Sequence, residues 1–121
     1  MTLADRLADL LATRGVRSVA VASLDGFVVE AAGGEAAVAD EVAGLVAGSL
    51  ASSRALAELF GDGELRQATI EFERGPVLLV PLPAPAEGHV AVVVLDDLAS
   101  LGRARLAVRR VSQHLADAVA A

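Results

Sequence analysis

Two stretches late in the chain, "PVLLVPL" at 76–82 and "HVAVVVLDD" at 89–97, are apolar at almost every position. A strand with one face in water alternates apolar and polar residues, whereas one apolar throughout is covered on both faces. These two segments are therefore central strands, and the sheet they belong to needs helices on each side.

The remaining segments supply the flanking strands and the covers. "VRSVAVAS" (16–23) and "FVVEAA" (27–32) flank Leu24-Asp25-Gly26. They read as a hairpin, because Asp-Gly supplies two turn positions that tolerate positive φ. "ELRQATIEFE" (64–73) alternates, with Ala68, Ile70 and Phe72 facing one way and Gln67, Thr69, Glu71 and Glu73 the other. Arg74-Gly75 turns it into the first central strand. Thr2 to about Arg14 forms an amphipathic helix with Leu3, Leu7, Leu10 and Leu11 in one stripe, capped by Thr2 and ended at Gly15. A second helix runs from about Val38 to Phe60, where "GDG" stops it. Val38, Val42, Leu45, Val46, Leu50, Leu56, Leu59 and Phe60 make its core side, opposite Asp40, Gly44, Ala47, Ala51, Arg54 and Glu58. The last helix starts between Leu98 and Leu101, with Ser100 as its cap. It buries Leu101, Leu106 or Ala104, Val108, Val111, Leu115 and Val119. The order α-β-β-α-β-β-β-α, dominated by hairpins, predicts an α+β fold: a five-stranded antiparallel sheet with helices against both faces.

The 121 residues suit one domain spanning 1–121. Although 55% of residues are hydrophobic, no run approaches the ~20 apolar residues of a membrane span. The charged N-terminal helix lacks the pattern of a signal peptide, so no membrane insertion and a cytoplasmic location are expected. The absence of Cys removes disulfides, thiolate catalysis and Cys-based zinc sites. A net charge of −6 argues against nucleic acid as a partner. The basic cluster Arg103, Arg105, Arg109 and Arg110 spreads around a helix and reads as a solvated surface. There is no lysine, and Ala, Gly and Val dominate. This composition weakens any inference from alanine counts.

Candidate chemistry is sparse. His89 and His114 have no Ser, Cys or metal-ligand spacing near them. Asp96-Asp97 ends a strand and reads as a strand-to-helix turn whose charge favours the next helix. "GGE" and "GDG" match no nucleotide-binding fingerprint. No catalytic, cofactor-binding or metal site is expected, and a hydrolase built on Asp25, Asp96 or Asp97 is the weakest reading.

The chain resembles the Roadblock family, which takes its name from a dynein light chain and includes MglB-like bacterial regulators of Ras-like GTPases. The resemblance rests on "GVRSVAVASLDGFVVEAAG", the long small-residue helix, "LFGDGELRQATIEFERGPVLLVPL" and "VAVVVLDDLASLGRARLAVRR". Where the family commonly has Asn before Leu-Gly, this chain has Ser100 before Leu101-Gly102. The resemblance implies a profilin-like three-layer α/β/α sandwich with sheet order 2-1-5-4-3. It also implies a homodimer in which third strands pair and second helices lie side by side. The interface residues would be Leu50, Arg66, Gln67, Thr69 and Glu71. The implied role is a regulator or scaffold for a small Ras-like GTPase, possible GTPase activation included, within a motility or polarity complex. Docking would use the smooth strip Gly44, Ala47, Gly48 and Ala51, flanked by Asp40, Arg54 and Glu58. Arg54 is the only arginine of that helix, and no residue is expected to enter the GTPase active site. The alternative is a small-molecule sensor of profilin- or PAS-like plan, which needs a pocket between helix and sheet. The alanine- and valine-rich strands predict a filled interior instead.

Overall fold

The segment His89–Leu95 (β5) is the middle strand of the sheet, buried at five of its seven positions. The computed structural model describes residues 1–34 and 39–121. Along the chain run α1 (Leu3–Leu11), β1 (Val16–Ser23), β2 (Val28–Ala32), α2 (Ala39–Phe60), β3 (Ala68–Phe72) and β4 (Gly75–Pro81). After β5 comes a single 3-10 turn (Leu98–Ser100) and then α3 (Leu101–Ala120). The strands form one antiparallel sheet, as the hairpin pattern predicts, in the order β2-β1-β5-β4-β3 that the resemblance implies. Val38, expected to open α2, lies outside the described residues.

Strand alternation sorts the core into two layers. Val19, Val21, Leu78, Ala91, Val93 and Leu95 point to α1 and α3, where they meet Leu7, Leu10, Ala104, Val108, Leu115 and Ala116. Ala22, Leu79, Val90 and Val92 point the other way and meet Ala43, Val46 and Leu50 of α2. In α3 the core position is Ala104 rather than Leu106, which is exposed.

Local chemistry fixes the ends of the elements. The Thr2 hydroxyl accepts from the Asp5 N–H (3.1 Å), and the Asp5 carboxylate accepts from the Thr2 N–H (3.0 Å), a reciprocal cap. The backbone hydrogen bond from Thr2, then that from its hydroxyl, holds the Asp5 carboxyl below the usual carboxylate range. Helix α1 stops at Leu11, earlier than expected, because a turn over Thr13–Val16 intervenes before β1. Helix α2 ends as "GDG" predicts: Gly61 takes φ +68°, Asp62 N–H reaches Ala57 O, and Gly61 N–H reaches Glu58 O. Ser100 holds the N-cap position of α3 as expected, but its side chain makes no capping hydrogen bond to that helix. It is tied back instead to Asp97, the cap of the preceding 3-10 turn, whose Oδ1 accepts from Ser100 N–H (2.9 Å) and Ser100 Oγ–H (2.7 Å).

The first hairpin also differs in detail. Among the described residues none other than glycine has positive φ, so Asp25 keeps an ordinary backbone and, in this turn, only Gly26 (φ +96°) is left-handed. Gly26 N–H donates to Ser23 O and Ser23 N–H to Phe27 O. The loop is the three residues Leu24-Asp25-Gly26 expected between the strands, and β2 begins at Val28 rather than Phe27. In the second hairpin the turn is Glu73-Arg74, and Gly75 is already in β4. A side chain at Gly75 would collide with the Leu95 carbonyl oxygen.

Leu50 has no exposed surface and no other large side chain of α2 is so deeply held. Leu50→Ala is expected to lower stability by about 2–5 kcal/mol, read from urea unfolding at a fixed protein concentration.

Candidate protein-interaction surface

Helix α2 is more apolar than the sheet can cover. Ala43, Val46 and Leu50 are buried and Val42 is half-buried. Leu45, Leu56 and Leu59 lie roughly 100–160° from the middle of that stripe. Leu45 is 71% exposed and Leu59 83%, with Leu56 and Phe60 also in solvent. The expectation that all these residues face the core is thus corrected for Leu45, Leu56, Leu59 and Phe60. The reason is geometric: α2 packs most closely over β1 and β2, and a single helix covers only part of one sheet face.

The uncovered part of that face is a groove of about 430 Å³. Val42, Leu45, Val46 and Ser49 form its helix wall, and Val77, Leu79, Val92 and Val94 its floor. Ile70 and Phe72 of β3 close the far side and are themselves exposed, Phe72 at 58%. The expectation of a filled interior does not hold here. The strands are small and tight, but the helix does not reach across them.

The small-residue strip faces outward. Gly44, Gly48 and Ala51 are exposed, and Ala47 is half-buried. Among the described residues a Cβ added at Gly44 or Gly48 meets nothing within 4 Å, so packing against them requires neither glycine. Asp40 sits in the first turn of α2, and its Oδ1 accepts from Val28 N–H (3.3 Å), tying the helix start to β2. Arg54 and Glu58 border a hollow of about 410 Å³ beside Glu87, Gly88 and His89.

The residues implied for a dimer interface separate. Leu50 is buried to 0% exposure inside the protomer, so it makes no surface contact and is a core residue. Arg66 and Gln67 precede β3 and border a cavity of about 710 Å³ shared with Arg105, Arg109 and Ser112 of α3. Thr69 and Glu71 belong to β3 itself, on the side facing α3. There Arg105 Nη2 donates to Thr69 Oγ1 at 3.3 Å. Arg105 is half-buried rather than solvated, a placement that reading the four arginines as one surface missed. The available signal was its place three residues before Val108, next to the buried stripe of α3.

The remaining titratable residues are dispersed. Asp25 is exposed in its turn, and His114 is exposed on α3. His89 Nδ1 lies 3.2 Å from Ala86 O. Asp96 N–H donates to Gly15 O (2.9 Å) in the β5 exit. Among the described residues no three His, Asp or Glu side chains gather as a metal site, and no helix is long and apolar enough to cross a membrane.

Comparison with known proteins agrees with this architecture. The Roadblock/LC7 domain family model matches residues 3–96. Among solved structures, the gliding protein MglB of Thermus thermophilus is 28% identical. The alignment covers 97% of this chain and 87% of that one, with a TM-score of 0.83. A structure of MglB in a tetrameric arrangement is 26% identical over 97% and 87% of the two chains, TM-score 0.84. A Roadblock/LC7 domain from Streptomyces avermitilis is 25% identical over 95% and 98%, TM-score 0.75. No curated protein matches the chain significantly. With the matched region running from α1 through β5, the chain belongs to the Roadblock/LC7 domain family.

Proposed function

We propose that the chain is a homodimeric regulator or scaffold that binds a small Ras-like GTPase through the outer face of α2. The observation that carries this reading is the exposed strip Gly44, Gly48 and Ala51, whose two glycines no close packing among the described residues requires. Interior helix glycines each cost up to ~1 kcal/mol relative to alanine. Such a strip lets another backbone approach closely with little side-chain entropy to lose. Family membership and the likeness to MglB support a regulatory rather than catalytic role. Dimerisation is supported by the apolar surface that Leu45, Ile70 and Phe72 leave exposed beside the edge strand β3. An MglB structure in a tetrameric arrangement fits assembly by such chains. The groove of about 430 Å³ also suits a small apolar ligand. Because its rim is the edge strand and its outer lining is exposed, we assign it to the second copy. A ligand copurifying with the dimer would favour the sensor reading instead.

The direct test is GTP hydrolysis by a Ras-like GTPase encoded beside this gene, with and without the protein. Gly48→Arg is expected to abolish complex formation while light scattering still reports a dimer. Unchanged binding would remove α2 from the interface. Ala47→Arg is the companion variant, less clean because Ala47 is half-buried. Gly48→Ala should raise the helix stability by up to ~1 kcal/mol yet weaken binding, seen by pairing thermal melts with affinity measurements. Arg54→Ala should leave any stimulation of hydrolysis intact, since an inserted arginine finger would instead cost roughly 10³–10⁵ in rate. Ile70→Asp should shift the scattering mass to that of a monomer.

A further inference from the structure

A second opening lies beside α3, at the end of the sheet where β3 begins. The last pair between β3 and β4 is Ala68–Leu79, so Val80 and Pro81 of β4 run on with no neighbour on that side. The chain reaches β3 from Gly61 through the irregular stretch 62–67 instead of pairing there. Pro81 and Pro83 lack an N–H, which makes this a poor place to add a strand. The space left between that stretch, the end of β4 and α3 is the cavity of about 710 Å³, a size that suits a small molecule.

Helix periodicity selects its charged lining. At about 100° per residue, Arg105, Arg109 and Ser112 fall within roughly 60° of one another on α3, and all three line the cavity. Arg103 and Arg110 lie roughly 140–160° from Arg105 and do not border it. The four arginines of α3 are thus two pairs on opposite flanks of the helix. Arg66 and Gln67 join the first pair from the stretch before β3.

The guanidiniums on this flank are poorly satisfied within the chain. Arg105 Nη2 makes one long hydrogen bond, 3.3 Å to Thr69 Oγ1, while its Nε is buried without any. A buried donor with no partner in a native protein calls for one from outside the chain. Among the described residues no carboxylate pairs with Arg66, Arg105 or Arg109. Asp62 and Glu64 also line the cavity, both exposed, and leave it one positive charge in excess. An excess of that sign stands out in a chain of net charge −6.

We propose that this cavity binds a small phosphate monoester, its phosphoryl group held by Arg66, Arg105 and Arg109 and its organic group against Leu65 and Val80. Guanidinium forks match phosphate oxygens in pairs. A phosphoryl group brings close to two negative charges and three acceptor oxygens, enough for three arginines, whereas a carboxylate brings one charge and two oxygens. Gln67 adds a neutral amide donor. Leu65 and Val80 are half-buried and line the same space, and inorganic phosphate would leave them uncovered. No aromatic residue lines the cavity, so nothing there stacks on a base and a nucleotide is not the ligand implied. The site uses α3 and the approach to β3, so it stands independently of the α2 docking face.

Calorimetric titration of the wild-type chain with phenyl phosphate, inorganic phosphate and benzoate tests this. Phenyl phosphate should saturate one site per chain and bind on the order of 10-fold more tightly than either of the others. Arg66→Ala and Arg109→Ala, both at exposed positions, should each weaken it on the order of 10-fold. Arg105→Lys, which keeps the charge but loses the fork, should weaken it too. Asp62→Asn should strengthen it, and Arg110→Ala, on the opposite flank, should leave it unchanged. Light scattering on each variant separates a lost ligand from a lost dimer, and an unchanged mass is expected. Absence of saturable binding, or an equal loss in Arg110→Ala, overturns the site. Benzoate binding as tightly overturns the phosphate assignment, and inorganic phosphate binding as tightly overturns the organic group. A phosphoserine peptide binding more tightly than phenyl phosphate overturns the small-molecule source in favour of a protein partner.

Discussion

The structure depends on burying β5, β4 and β1 from both sides. Val90 and Val92 point to one face of the sheet and Ala91, Val93 and Leu95 to the other, all buried. A sheet of this kind cannot stand with one face in water, so both helical layers are obligatory. On one side two helices, α1 and α3, share the cover and contribute Leu7, Leu10, Val108 and Leu115. On the other side a single helix does the work, and it is insufficient. The asymmetry of two helices against one leaves the groove beside β3 open.

That asymmetry explains what was legible in the sequence and what was not. The central strands, the hairpin order and the Gly61 helix stop follow from local pattern and survive in the fold. The interior of α1 was legible for the same reason, since Leu7 and Leu10 face the layer their spacing predicts. Helix ends were less so: Thr13–Val16 forms a turn that periodicity does not encode, and the Ser100 hydroxyl bonds back to Asp97 rather than capping α3. The Asp-Gly turn and its three loop residues were located correctly, but not its backbone, because Gly26 carries the positive φ and Asp25 does not.

The candidate surface was harder to read. The glycines of α2 stand out by their helix cost, and Gly44 and Gly48 do face solvent. Leu50 misled, because a large apolar residue on a helix carries the same signature whether it meets its own sheet or another chain. Arg105 misled in the opposite direction. A helical wheel shows an arginine among arginines, while its half-burial depends on Thr69, 36 positions away in sequence.

Helix α2 makes the general point about apolar patterning. A sheet face buries a stripe of a helix, and a helix whose apolar residues span about half its circumference exceeds that stripe. The excess here is Leu45, Leu56, Leu59 and Phe60, and Leu45 among them borders the open edge. Leu45 lies on the groove wall opposite Ile70 and Phe72, so helix and edge strand expose one continuous apolar surface. Isolated exposed leucines need no explanation, but a contiguous patch bordering an open edge does. Both the hydrophobic excess and the unprotected edge are features that folding of the protomer leaves unused. Their coincidence at β3 is what the proposed interface between copies would account for at once.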